Sequence, residues 1–133
     1  MKDSGDRYSD PDSGRERIPG LVLVFSCGAP ATVVVPLAGG EVELGRAAHG
    51  LPLDGRMSRR HVRVSFEGQR FFATDLGSQN GTAVDGEPVA PQQRTEVQRV
   101  LRVGDSLLVP LRDITPIARY GVKVQDARVI GPA

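Results

Sequence analysis

A chain of 133 residues, 39% hydrophobic and 25% charged, is long enough for one domain with its own core, and its composition excludes a wholly disordered or membrane-embedded protein. The formal net charge of +1 excludes a global attraction to nucleic acid, so any cationic chemistry has to be local. A single cysteine, Cys27, excludes an internal disulfide and fits a reducing, cytoplasmic setting.

In chain order, residues 1–17 mix Asp, Ser, Gly, Arg and Glu without hydrophobic periodicity and read as a flexible polar leader with no signal-peptide character. Residues 21–25 (LVLVF), rich in branched side chains, are expected to form the first strand; with 33–35 they are also the longest apolar runs, far too short to span a bilayer. A turn at Gly28, Ala29 and Pro30 leads to a second strand over 32–35. Glu41-Val42-Glu43-Leu44 alternates polar and apolar, the period of a half-buried strand, and stops at Gly45-Arg46. Gly50, Pro52 and Gly55 leave 47–57 as a loop. Residues 61–66 alternate again, 67–69 turn the chain back through 70–75, and a turn-rich stretch over 76–81 precedes a short strand at 82–84. Asp85-Gly86 is a strong two-residue hairpin signal. Residues 92–101 fit a short helix or a strand, and their neighbours favour strand; 106–109 follow as a strand, with another expected near 114–118. Residues 119–133 read as a tail or as a linker to a further domain. Many short strands at close spacing, with 16 Gly and 10 Pro, predict an all-β sandwich over 18–118.

Polar, small and cationic residues gather at three points: Gly45-Arg46, Ser58-Arg59-Arg60-His61 and Ser78-Gln79-Asn80-Gly81-Thr82. Each has an ordinary explanation. Gly45-Arg46 reads as a turn glycine and a solvated arginine, the second as a surface basic cluster with Arg56 and Arg63, and Asn80-Gly81 as a turn pair. Arginine nevertheless offers a planar fork suited to carboxylate or phosphate. A nucleophile built from Ser58, His61 and Asp54 or Asp75 is poorly supported, because no G-x-S-x-G elbow is present and Ser58 and His61 are too close in sequence. A metal site is equally poorly supported, since Cys27 and His49 show no ligand spacing to His61. His61 is better suited to hydrogen-bonding nearby loop backbone.

The ordered set G-R, S-x-x-H and S-x-N-G-T at the ends of successive strands, with D-L-G-S before the asparagine, resembles the forkhead-associated (FHA) domain, a phosphothreonine-binding module. The likeness runs over residues 21–118, and the stretch 101–109 (LRVGDSLLV) is similar to the family's closing strands. The resemblance implies a β-sandwich of two mainly antiparallel sheets with the binding site on loops at one end, no enzymatic activity, no cofactor and no metal. It implies that Arg46 contacts the phosphate or the adjoining peptide backbone, that Ser58 donates its hydroxyl to a phosphate oxygen, and that Arg59 adds a contact. Asn80 would hold the peptide main chain beside Gln79, with Gly45, His61 and Gly81 as architectural support. Gln79 occupies a position where the family often has Thr or another small or polar residue. Arg56 is a candidate to favour an acidic residue C-terminal to the phosphothreonine. The implied partners are a Thr-phosphorylated protein and an upstream Ser/Thr kinase, without direct nucleic-acid or membrane binding.

The ending of the chain resembles bacterial transcription activators in which an FHA domain precedes an ATPase acting on an alternative-sigma-factor polymerase. No G-x-x-x-x-G-K-[ST] occurs in these residues. Two alternatives stay open at the level of sequence: a phosphate-independent interaction domain of the same fold, and nucleic-acid binding through Arg56, Arg59, Arg60 and Arg63. The latter suffers from 5% aromatic residues and no Trp.

Overall fold

The computed structural model describes residues 17–119. Branched and alternating stretches become strands, and their buried positions point toward a shared interior. The strands are β1 (Gly20–Ser26), β2 (Ala29–Pro36), β3 (Glu41–Leu44), β4 (Val62–Glu67) and β5 (Arg70–Asp75). They continue with β6 (Thr82–Val84), β7 (Glu87–Pro88), β8 (Arg94–Val97), β9 (Leu101–Val103) and β10 (Ser106–Leu111). One sheet runs in the order β2-β1-β10-β9-β6-β7 and the other β3-β4-β5-β8, with every pairing of these strands antiparallel.

The core lies between the sheets. Leu21, Leu23 and Val35 from β1 and β2, and Leu101, Val103 and Leu108 from β9 and β10, meet Leu44, Val62, Val64 and Ala73 of the other sheet. Burying such aliphatic side chains contributes about 1.5–3 kcal/mol each, so the sandwich is a firm base for the loops at its ends. One of those loops is itself part of the core: Leu51 is 5% and Met57 1% exposed, and both pack with the strand residues. The stretch that lacks periodicity therefore has two fixed points.

Two expectations for the chain's second half change. Residues 92–101 are not one strand: β8 ends at Val97, and Gln98, Arg99 and Val100 turn before β9. Asp85 causes the break, because its carboxylate accepts the N–H groups of Gln98 (3.0 Å), Arg99 (2.7 Å) and Val100 (2.9 Å). Near 114–118 the chain forms a short helix, α1 (Thr115–Arg119), rather than a strand. Asp113 Oδ1 accepts from the Thr115 N–H (3.1 Å) and hydroxyl (2.7 Å), and Pro116 in the first turn has no N–H to give a sheet. The predicted leader and tail lie outside the described residues, apart from their innermost positions.

Candidate functional site

The loops after β3 and after β5 leave the same end of the four-stranded sheet, since β3 and β5 both pair antiparallel with β4 between them. This topology brings the three polar segments together. Gly45 permits the closest approach: a Cβ there would lie 1.6 Å from Arg59 O and 3.1 Å from Ser58 O. Any other residue would have to push the two loops apart. Across the same contact the Arg46 N–H donates to Ser58 O at 3.0 Å.

His61 is fully buried and ties the remaining pieces. The Ser58 N–H donates to Nδ1 (3.0 Å), so Nδ1 is the unprotonated nitrogen and Nε2–H donates to Gly81 O (2.8 Å). Its backbone N–H reaches Leu44 O and its carbonyl accepts from Leu76 N–H, each at 2.9 Å. Gly81 sits at φ 83°, a left-handed conformation that glycine adopts without steric cost and that presents its carbonyl to His61.

Two buried aspartates finish the scaffold. Asp75 accepts from the N–H groups of Gly77 (2.9 Å) and Ser78 (3.0 Å) and from the hydroxyls of Ser78 (2.5 Å) and Thr82 (2.7 Å). Asp54 accepts from the N–H groups of Arg56 (2.9 Å) and Asp105 (2.8 Å) and from the Ser106 hydroxyl (2.7 Å). Burial alone would raise both carboxyls, but the hydroxyls and amides donated to them outweigh it and hold each below the ordinary carboxylate range. Neither aspartate stood out in the sequence as a strut. For Asp75 the signal was nonetheless there, because Asp followed at two and three residues by Gly77 and Ser78 invites local side-chain-to-backbone bonds.

What this scaffold presents outward is a set of donors. Ser58 Oγ accepts from the Gln79 N–H (3.1 Å), which leaves the hydroxyl proton free to be donated elsewhere. Arg46 and Arg59 are exposed. Among the described residues neither has a carboxylate at ion-pair distance, and the backbone N–H groups of Arg59 and Asn80 have no backbone acceptor. The nearby cations differ. Arg60 grips Glu43 bidentately (3.1 and 3.0 Å), Arg63 reaches Glu41 (2.9 Å) and Glu43 (3.2 Å), and Arg56 Nε lies 3.5 Å from Asp105. Arg60, and then Arg63, hold the Glu43 carboxyl below its usual range. Asn80 Nδ2 donates to Arg56 O (2.9 Å), joining the two long loops across the mouth of the site. Arg46, Ser58, Arg59, Gln79 and Asn80 thus share one surface, with Arg56 at its edge. Among the described residues no group of three or more His, Cys, Asp or Glu is placed to hold a metal, and no helix is long and apolar enough to cross a membrane.

The FHA domain family model matches residues 42–109. FhaB of Mycolicibacterium smegmatis, an FHA domain-containing protein, is 32% identical over 88 residues, covering 65% of this chain and 57% of that protein. The chain thus spans a little over half the length of that curated relative. Among solved structures, an FHA domain studied for phosphothreonine-dependent interactions is 29% identical, with a TM-score of 0.53 over 70% of this chain and 94% of that one. The FHA domain of FhaA, complexed with the intracellular domain of Rv3910, gives the same identity and TM-score over 70% and 99%. FHA domains are phosphopeptide-binding modules, not enzymes, and it is to this family that the chain belongs.

Proposed function

We propose that this domain, placed at residues 18–118, binds a Thr-phosphorylated peptide with Arg46, Ser58 and Arg59 on the phosphate and Asn80 and Gln79 along the peptide chain. The observation that carries this reading is the pairing of unspent donors with a fully tied scaffold. Two exposed guanidiniums, a free hydroxyl proton and unpaired backbone N–H groups stand on loops whose backbones touch, and the residues that support those loops are already hydrogen-bonded. A phosphothreonine brings about −1.5 to −2 charges and three strong acceptor oxygens, which is the complement of that set. Gly45, His61 and Gly81 support the loops without touching the ligand. Arg56, shared with Asp105, favours an acidic residue C-terminal to the phosphothreonine.

The phosphate is written by an upstream Ser/Thr kinase, and the module acts in that signalling. A bacterial, cytoplasmic setting accords with the mycobacterial relatives and the unpaired Cys27. Direct nucleic-acid binding is not part of the proposal: of the cluster Arg56, Arg59, Arg60 and Arg63, all but Arg59 face acidic neighbours among the described residues. A regulatory role in a larger transcription-activating protein rests on the resemblance of the chain's ending alone.

The test is calorimetric titration with one peptide in three forms, carrying phosphothreonine, phosphoserine or threonine. The phosphothreonine form is expected to bind in the micromolar range or tighter, and the unphosphorylated form not at all. Phosphoserine should bind more weakly by at least the about 0.8 kcal/mol of one buried methyl. Equal affinity for all three would make this a phosphate-independent interaction domain.

A further inference from the structure

The outer faces of the two sheets are built differently. On the four-stranded sheet the outward rows are Glu41, Ser65, Phe72 and Glu96, then Glu43, Arg63, Thr74 and Arg94. Arg63 pairs with both Glu41 and Glu43, and Arg94 lies over the Phe72 ring. That face is finished for water. On the six-stranded sheet, strands β1, β2 and β10 contain no charged residue. Their inward side chains Leu21, Leu23, Val33, Val35 and Leu108 fill the core, and apolar residues stand on the outside as well. Register sets these in two rows: Val109, Val22 and Val34, then Leu107, Phe25 and Pro30. The register shift between Leu23 and Phe25 turns Val24 outward too, and Val24 is 40% and Phe25 37% exposed. On β9 the second row meets Arg102, opposite Leu107, the first charge along it.

One end of this face is already covered by the chain's own continuation. Gly20 pairs with Leu111 and Pro36 in the outward row beside Val22, and a Cβ there would lie 2.8 Å from Ile114 Cγ2. Ile114 is therefore seated on the outer face. It is buried yet stands apart from the core between the sheets, and the same holds for Val22. The Ile114 N–H donates to Ile18 O at 2.8 Å, which fixes the start of α1 beside this row.

We infer that the segment after α1 continues what Ile114 begins, and that Val122, Val124, Val129 and Ile130 cover Val34, Val109, Leu107 and Phe25. Reach allows it. Ile130 stands 11 residues beyond Arg119, the end of α1, a span of up to about 36 Å when extended, whereas Gly20 to Phe25 along β1 is about 17 Å. Lys123 separates Val122 from Val124, the spacing that sets two apolar side chains on one side of an extended chain and the charge on the other. Residues 1–16, the other stretch that adjoins this end, contain no Val, Leu or Ile to lay on the face. The inference is independent of the phosphothreonine reading, because the surface lies on strand sides and not on the loops that carry Arg46, Ser58 and Asn80.

The test compares amide NMR spectra of the 133-residue chain with those of one variant carrying Val122→Ser, Val124→Ser, Val129→Ser and Ile130→Ser. The variant should shift the amides of Phe25, Val34, Leu107 and Val109, leave those of Arg46, Ser58 and Asn80 in place, and give the same differences after about tenfold dilution. A nitroxide on Cys27, the single cysteine and exposed in the β1–β2 turn, should then weaken the signals of residues 129 and 130 in the parent more than in the variant. Unmoved amides on β1, β2 and β10, or an equal nitroxide effect in both proteins, would overturn the assignment. So would shifts that fade on dilution, because a second copy would then be the cover.

Discussion

The two ends of the sandwich differ in one respect: at one the described arginines are all partnered, and at the other Arg56, Arg60 and Arg63 are paired with carboxylates while Arg46 and Arg59 are not. At the end formed by the β4–β5 turn and the last residues of β8 and β10, the cations are occupied. Arg94, from the start of β8, reaches over the Phe72 ring at 3.7 Å to pair with Glu67, Arg70 is 3.8 Å from Glu96, and Arg112 Nε donates to Gln69 O at 3.2 Å. At the other end Arg46 and Arg59 stand without carboxylate partners among the described residues, over loops tied by His61, Asp54 and Asp75. A basic cluster becomes a site when its charges are unspent and its backbone cannot move to spend them.

That contrast can be broken at several places. Arg46→Ala should weaken phosphopeptide binding by about 2–4 kcal/mol, as when a charge-assisted pair loses one member. Its melting temperature should stay within a degree or two of the parent, since the side chain is exposed and spends nothing on the fold; calorimetry and a thermal melt read the two effects separately. Asp75→Ala should do the reverse in kind. Chemical denaturation is expected to show a loss of about 2–3 kcal/mol in stability, because the amides of Gly77 and Ser78 and the hydroxyls of Ser78 and Thr82 lose their shared acceptor. Phosphopeptide affinity should fall with it, through displaced loops rather than a lost contact.

Acidification separates ligand from scaffold. The phosphate's second ionisation lies near pH 6, so binding should weaken by about tenfold between pH 7 and pH 5 as the dianion is protonated. The fold should not follow over that range. Asp54 and Asp75 are held below the ordinary carboxylate range, so the stability they provide is fully present above their unfolded value of about 3.9 and is lost only as pH falls through the lower folded values. A melt that tracks the binding loss between pH 7 and 5 would contradict this. The smallest effect belongs to the far end: Arg94→Ala should change stability by less than about 1 kcal/mol, the scale of an exposed ion pair and cation–π contact, and peptide affinity by nothing measurable in the same titration.

The strands and the three polar segments were legible because strand alternation and turn residues are local signals, written in consecutive positions. Glu41 to Leu44 and 61–66 announce their buried faces, and Asp85-Gly86 announces its hairpin. What the sequence did not announce depends on residues far apart. Asp54 meets Ser106, and Met57 enters the core from a stretch with no periodicity. Arg102 acquires its surroundings only once β6 and β9 pair. The helix at Thr115, where a strand is expected, has a local signal of its own: Asp113 followed by Thr115-Pro116 is a helix start. Gly45 illustrates the limit well. As sequence it is a turn glycine, and only the neighbouring Arg59 carbonyl reveals that a side chain there has no room.

On the proposed function, unspent donors over a fixed scaffold mark one end of the molecule as the binding end. Backbone amide shifts, followed by NMR while a phosphothreonine peptide is titrated in, test it most directly. The account predicts shifts concentrated at Arg46, Ser58, Arg59, Gln79 and Asn80, none at Arg70, Arg94 or Arg112, and none anywhere with the unphosphorylated peptide. Shifts centred on the β4–β5 turn, or the same pattern without the phosphate, would contradict it.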